Sequence, residues 1–125
     1  MREIISGNKN SRIVVTDEPG AGGGCHEYYI GPRAVVTPDG QPEPPNGEYG
    51  HIFFQKGPVF ENGVNGCHQE DLLEIVIHRL ESFQAGNFAC RENALALTKC
   101  QEALHWLNHR TAQRVKRGVE GRTIK

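Results

Sequence analysis

The 125-residue sequence predicts an α+β protein. A small N-terminal antiparallel β-sheet is followed by a C-terminal antiparallel helical hairpin with a long second helix. Three observations carry this. Residues 90 to about 117 run without proline or glycine, and Leu97, Cys100, Leu104 and Leu107 recur at alternating three- and four-residue steps, the stripe of an amphipathic helix. A second helical pattern precedes it across the short loop 85–89, which contains Gly86, and so short a loop makes the two helices antiparallel neighbours. The first half holds short β-branched and aromatic runs set between glycine and proline turns.

Taken in order, residues 13–15 (Ile-Val-Val) read as a strand. Residues 17–24, DEPGAGGG, read as a glycine-rich turn or loop, a flexible connection; no Lys-Ser or Lys-Thr follows, so this is not a phosphate-binding P-loop. Residues 26–30 and 34–36 are two further strands joined by a turn at Gly31-Pro32. Residues 37–50 carry four prolines and three glycines and read as a surface loop. Residues 51–55 are the clearest strand, and residues 59–60 a short one after Gly57-Pro58. Asn62-Gly63 and Asn65-Gly66 are turn signals. The first helix spans residues 69–84, with Glu70 and Asp71 in the first turn, where the dipole favours acids. Leu72, Leu73, Val76, Leu80 and Phe83 form its apolar face. The chain reads as one domain, 1–125, with a β-rich part over 1–66 and the hairpin and basic tail over 67–125.

The helices are unequal. At 1.5 Å per residue the first is roughly 24 Å long and the second roughly 42 Å. The second should overshoot from near Trp106, leaving Trp106, Leu107, Ala112 and Val115 to be covered by the sheet and a second subunit together.

Formal net charge is −1, but residues 109–125 hold six Lys/Arg and one acid, while residues 1–108 hold eight and fourteen. A basic end on an acidic body points to a local anion site rather than to a surface that coats a duplex. The N-terminus has no signal-peptide pattern and no segment is long enough to span a membrane, so an intracellular, cytoplasmic protein with free thiols at Cys25, Cys67, Cys90 and Cys100 is expected.

Cys25-His26, Cys67-His68 and the helix pair His105 and His109 lack the Cys-x2-Cys spacing of a structural zinc site, so no metal is assigned. Cys90 precedes Arg91 near a helix start, but a small buried residue closing the interhelical contact accounts for it better than a nucleophile does. The third constellation is stronger. Arg110, Arg114 and Arg117 lie near one helix face, and none has a carboxylate three or four positions away inside the predicted helix. Like charges so stacked repel by a few tenths of a kcal/mol per pair. Phe83, Phe88 and Trp106 lie near the loop or the arginines, and Asn93 supplies an amide. Guanidiniums for phosphate, a ring to stack and an amide to read an edge suit a phosphate-bearing base.

The stretches GVNGCHQEDLLEIVIHRLESFQ, FACRENALALTKCQEALHWLNHRT and RVKRGVEG resemble the helical hairpin shared by the phage Thoeris anti-defence sponges and the anti-CBASS sponges, densely over residues 71–121. HIFFQKGPVFENGVNG, preceded by a short sheet, is similar to the Thoeris branch; the anti-CBASS branch is shorter and lacks that sheet. The resemblance implies a binder without enzymatic activity or cofactor. Such a protein sequesters cyclic ADP-ribose isomers (glycocyclic ADP-ribose) in the infected cell and keeps an NAD-depleting effector off. It also implies a homo-oligomer, a dimer at least and a hexamer in full, binding cyclic di- or trinucleotides at separate pockets, with no membrane and no long nucleic acid as partner. Carried over residue by residue, it makes Phe83 a base-contacting ring, Asn93 a polar reader, and Arg110 and Arg114 phosphate ligands. Arg117, Gly118, Gly121 and Arg122 are the candidates for a second anion site. Relatives follow Val-Glu-Gly with Thr-His; here Arg122-Thr123 follows. Two rivals remain: a nucleic-acid-binding helical module, and a signal-degrading enzyme, for which the sequence offers no convincing acid–base pair.

Overall fold

The computed structural model describes residues 2–4, 10–33, 35–36, 38–40, 42–43 and 48–118. The chain divides into two compact units, Met1–Lys56 and Gly57–Lys125. The architecture is the expected α+β one, with antiparallel strands first and the helices after them.

In the first unit, strands β1 (Arg2–Ile4), β2 (Ser11–Val15), β3 (Glu27–Pro32) and β6 (Gly50–Phe53) form one antiparallel sheet in the order β1-β2-β3-β6. Two-residue strands β4 (Val35–Val36) and β5 (Pro42–Glu43) pair with each other. Among the described residues of this unit the buried apolar side chains are Val14 and Val15, 7% and 2% exposed, and Gly31 is buried beside them in the sheet. Tyr28 packs edge-on against Phe54 with ring centroids 5.6 Å apart.

Between β2 and β3 the glycine-rich segment is a turn, as expected, and it is hydrogen-bonded. A short 3-10 turn spans Ala21–Gly23, and Gly22 and Gly23 take φ of 73° and 85°, a region open to glycine without steric cost. The Gly20 N–H donates to the Gly24 carbonyl at 2.8 Å. Asp17 closes the loop: its carboxylate accepts from the His26 N–H at 3.0 and 3.1 Å and from the Glu27 N–H at 3.1 Å. Burial opposes ionisation of Asp17, yet those two amides outweigh it, with help from the Lys56 charge, and hold its pKa below the ordinary value. Lys56 pairs with Glu27, whose carboxylate raises the ammonium's pKa against the opposing effect of burial.

Several expectations are corrected here. Gly31-Pro32 is the end of β3, not a turn: Ser11 pairs with Pro32 and Arg12 with Gly31. The Arg33 N–H donates to Asn10 on the β2 side, so the missing N–H of Pro32 faces the other way. The pairing with β6 has ended there, at Ile30–Gly50, so no ladder bond is lost. The loop expected over 37–50 contains β5. Strand β1 was not anticipated at all. Residues 59–60 belong to a one-turn helix, α1 (Val59–Asn62), rather than a strand. Pro58 precedes it and the Gly63 N–H caps it on the Val59 carbonyl at 2.8 Å, a proline-to-glycine bracket that outweighs the β-propensity of two residues.

In the second unit, α2 (Gln69–Gln84) packs against α3 (Arg91–Lys116). His68 and Asp71 form a reciprocal capping box at the start of α2. Ile77 is its one buried residue, whereas Val76, expected on the apolar face, is 43% exposed. On α3 a single half-buried stripe runs through Asn93, Leu97, Cys100, Leu104, Leu107, Thr111 and Arg114. His68, Glu70 and Asp71 share a cavity with Asn108 and Thr111, so the start of α2 lies beside that turn of α3 and the helices run antiparallel. The overshoot of α3 therefore begins past Thr111, about one and a half turns later than the expected Trp106. Among the described residues no helix is long and apolar enough to cross a membrane.

Candidate functional site

Phe83 lies in the last turn of α2, and Asn93 in the first turn of α3, so both stand at the loop end of the hairpin. The local network there is dense. The Cys90 N–H donates to Gln84 Oε1 at 3.0 Å, and Asn93 Nδ2 donates to the Phe88 carbonyl at 3.2 Å. Phe88 meets Phe83 edge-on, centroids 6.0 Å apart and planes at 85°. The Arg79 guanidinium, one turn before Phe83, lies 4.8 Å from its ring centroid. Phe83 is half-buried while Phe88 is 73% exposed. Asn93 spends one N–H on the loop; an amide carries a second N–H and an acceptor, so it keeps capacity for a base edge.

Cys90 is not the buried contact expected of it. It is exposed and caps α3, its Sγ accepting from the Asn93 N–H at 3.4 Å. All four cysteines are free thiols. Among the described residues no group of three or more His, Cys, Asp or Glu is placed to hold a metal ion.

The arginines stand at the opposite end of α3. Arg110 is exposed, Arg114 continues the half-buried stripe, and Arg117 is the C-cap residue. Arg114 and Arg117 are already engaged within the chain. Their claim as anion ligands comes from the end of the helix they share, not from being free. Trp106, 65% exposed, sits one turn before Arg110 with its ring edge-on to His105 and His109 at 5.3 and 5.7 Å. Of the second anion site, Arg117 and Gly118 fall in the turn that ends α3, with Gly118 at φ 73°, and Gly121 and Arg122 lie outside the described residues.

One chain therefore does not gather the four residues. Asn93 and Arg110 are 17 positions apart on one unbroken helix, about 25 Å at the α-helical rise. The hairpin presents an aromatic and amide cluster at one end and a guanidinium cluster at the other. Sequence reasoning passed over Arg79, although its i, i+4 spacing to Phe83 is the ordinary signal for such a contact.

The family model of the Acb2/Tad1 hairpin domain matches residues 47–112. That span contains Phe83, Asn93 and Arg110 and stops short of Arg114. A protein of Bacillus phage SBSphiJ7 described as Thoeris anti-defense 1 is 57% identical over 75 residues, which is 60% of this chain and 53% of that protein. The matched part thus spans about half the length of that relative.

Proposed function

The chain belongs to the Acb2/Tad1 hairpin-domain family, and on that premise we propose that it is a phage anti-defence protein that sequesters a cyclic ADP-ribose signal. The observation that carries this reading is the division of the hairpin into two complementary ends. A ring and an amide suit a purine; guanidiniums suit a pyrophosphate. Because these ends are about 25 Å apart on one chain, the pocket is composite. Two copies align antiparallel, and Phe83 and Asn93 of one face Arg110 and Arg114 of the other. A two-fold arrangement makes two such pockets per dimer.

The protein acts by holding its ligand, without a covalent step. The match to a Thoeris anti-defence relative and the sheet ahead of the hairpin favour glycocyclic ADP-ribose as the principal ligand. A cyclic di- or trinucleotide would occupy the separate basic end around Arg117 and Gly118, continued by Gly121 and Arg122, in a larger assembly.

One experiment separates these possibilities. The protein is incubated with a panel of cyclic nucleotides, filtered, boiled, and the released compounds are identified by chromatography. Recovery of unchanged cyclic ADP-ribose is the expected outcome. Recovery of a product would make the protein an enzyme. Retention of no cyclic nucleotide, with duplex DNA held at moderate salt instead, would make it a nucleic-acid-binding module.

A further inference from the structure

The four-stranded sheet carries a feature that the hairpin does not explain. Its register aligns Glu3, Val14, Tyr29 and His51 in one row across all four strands. Because side chains alternate along a strand, Arg12 and Thr16 project from the same face as Val14. These side chains line a cleft of about 460 Å³, within the range of small-molecule sites. Buried Val14 is 7% exposed and forms part of its lining.

Two aromatic rings stand in the row. Tyr29 and His51 have centroids 5.2 Å apart, and His51 and Phe53 6.1 Å. Tyr29 does not stand upright. A Cβ built on Gly31 would lie 2.1 Å from the Tyr29 hydroxyl and 2.4–2.5 Å from ring carbons, so the ring lies along β3 over the bare glycine. Gly31 has an ordinary backbone, without a positive φ. Its lack of a side chain is what makes room for the ring. Across the ladder Gly31 pairs with Arg12, so the register places Arg12 opposite the glycine that the reclining tyrosine covers.

The charges in the cleft are unequal. Glu3 is paired with Arg33, and His51 lies 3.4 Å from Glu48. Among the described residues the Arg12 side chain has neither a hydrogen bond nor an ion pair. An exposed arginine and a tyrosine ring lining one cleft of this size match a planar group that carries an anion.

We propose that this face of the sheet is a second ligand site, taking a phosphate-bearing nucleobase of mononucleotide size, with the base on Tyr29 and His51 and the phosphate on Arg12. The site is built entirely from residues of the sheet unit, so it neither needs the hairpin pocket nor stands or falls with it.

Adenosine 5′-monophosphate is the probe. It is titrated into the full-length chain carrying Phe83→Ala and Asn93→Ala, which removes the hairpin's aromatic end, and followed by amide shifts in two-dimensional NMR. The expected result is saturable shifts at Val14, Thr16, Tyr29 and His51, with adenosine and inorganic phosphate each binding more weakly. Arg12→Ala, at an exposed position, should weaken binding about tenfold to a hundredfold, the range of a charge-assisted hydrogen bond. Gly31→Ala removes no ligand-contacting group but displaces the Tyr29 ring, and should weaken binding about as much as Tyr29→Leu does. Absence of shifts at millimolar probe overturns the proposal. So do shifts confined to the hairpin, and so does binding that is indifferent to both Arg12→Ala and Gly31→Ala.

Discussion

Two inactive variants should restore each other. If the pocket joins the loop end of one hairpin to the arginine end of another, Phe83→Ala with Asn93→Ala kills one half of every pocket, and Arg110→Ala with Arg114→Ala kills the other. A charge-assisted hydrogen bond contributes about 1.5–3 kcal/mol and a base–aromatic stack about 1–3 kcal/mol. Either double variant alone should therefore lose roughly two to four decades of affinity. Co-refolded in equal amounts, the two variants form mixed dimers half of the time. Each mixed dimer has one pocket with both halves mutated and one with both halves intact. The mixture should bind with wild-type affinity at about a quarter of the wild-type number of sites. Isothermal titration with glycocyclic ADP-ribose reads both quantities at once, and light scattering checks that each variant keeps a mass of at least two chains. The 25 Å separation makes the outcome sharp, because a single hairpin cannot fold its two ends onto one small ligand. No recovery on mixing, from variants that melt like the wild type and exchange subunits, would refute the composite pocket.

The remaining predictions concern stability and chemistry. Ile77→Ala, at the one buried position of α2, should cost about 2–3 kcal/mol in denaturant unfolding, and Val76→Ala less than about 1 kcal/mol; equal costs would restore the face drawn from sequence. Asp17 has a folded pKa below its ordinary value of 3.8, so its stabilisation is full above that value and is lost as pH falls through the folded pKa. The melting-temperature gap between wild type and Asp17→Asn should accordingly be widest above the ordinary value and narrow as the pH falls below it; a gap that widens in acid would reverse the sign of the assignment. Reductant and chelator should each leave folding and ligand binding unchanged, since the four cysteines are free thiols and the described residues hold no metal-binding group; unfolding on chelation would mean that a metal holds the chain together.

The helices were the most legible part of the sequence, for a physical reason. Residues 91–116 contain no helix breaker, and α2 starts where acids meet the dipole and ends beside Gly86. What periodicity could not settle was the phase of α2. Leu72, Leu73, Ile75, Val76 and Ile77 crowd one and a half turns with apolar residues, so two stripes can be drawn, and only packing against α3 selects the one through Ile77. The sheet was harder. Strand β1 is three residues long with two charges, and its identity comes from pairing with β2, which no local pattern announces. Gly31-Pro32 has the local form of a turn, and only the early end of β6 makes it tolerable as strand. The candidate site was legible as four residue types. The roles of Phe88, Arg79 and Cys90 around it were not, because they arise from the shape of the interhelical loop.

Placing half a pocket at each end of a rigid rod has a consequence for dosage. A binding site inside one chain is present in proportion to the number of chains. A site divided between two chains appears, below the dimerisation constant, in proportion to the square of that number. Early after entry, when few copies have been made, such a protein would capture almost nothing; within a few rounds of translation its capacity would rise steeply. The signal molecule sharpens the threshold, since a ligand that bridges two chains favours the dimer by mass action. A pocket divided between two chains would thus give a response with a delay and then a sudden onset, set by the dimer constant together with the affinity for the ligand.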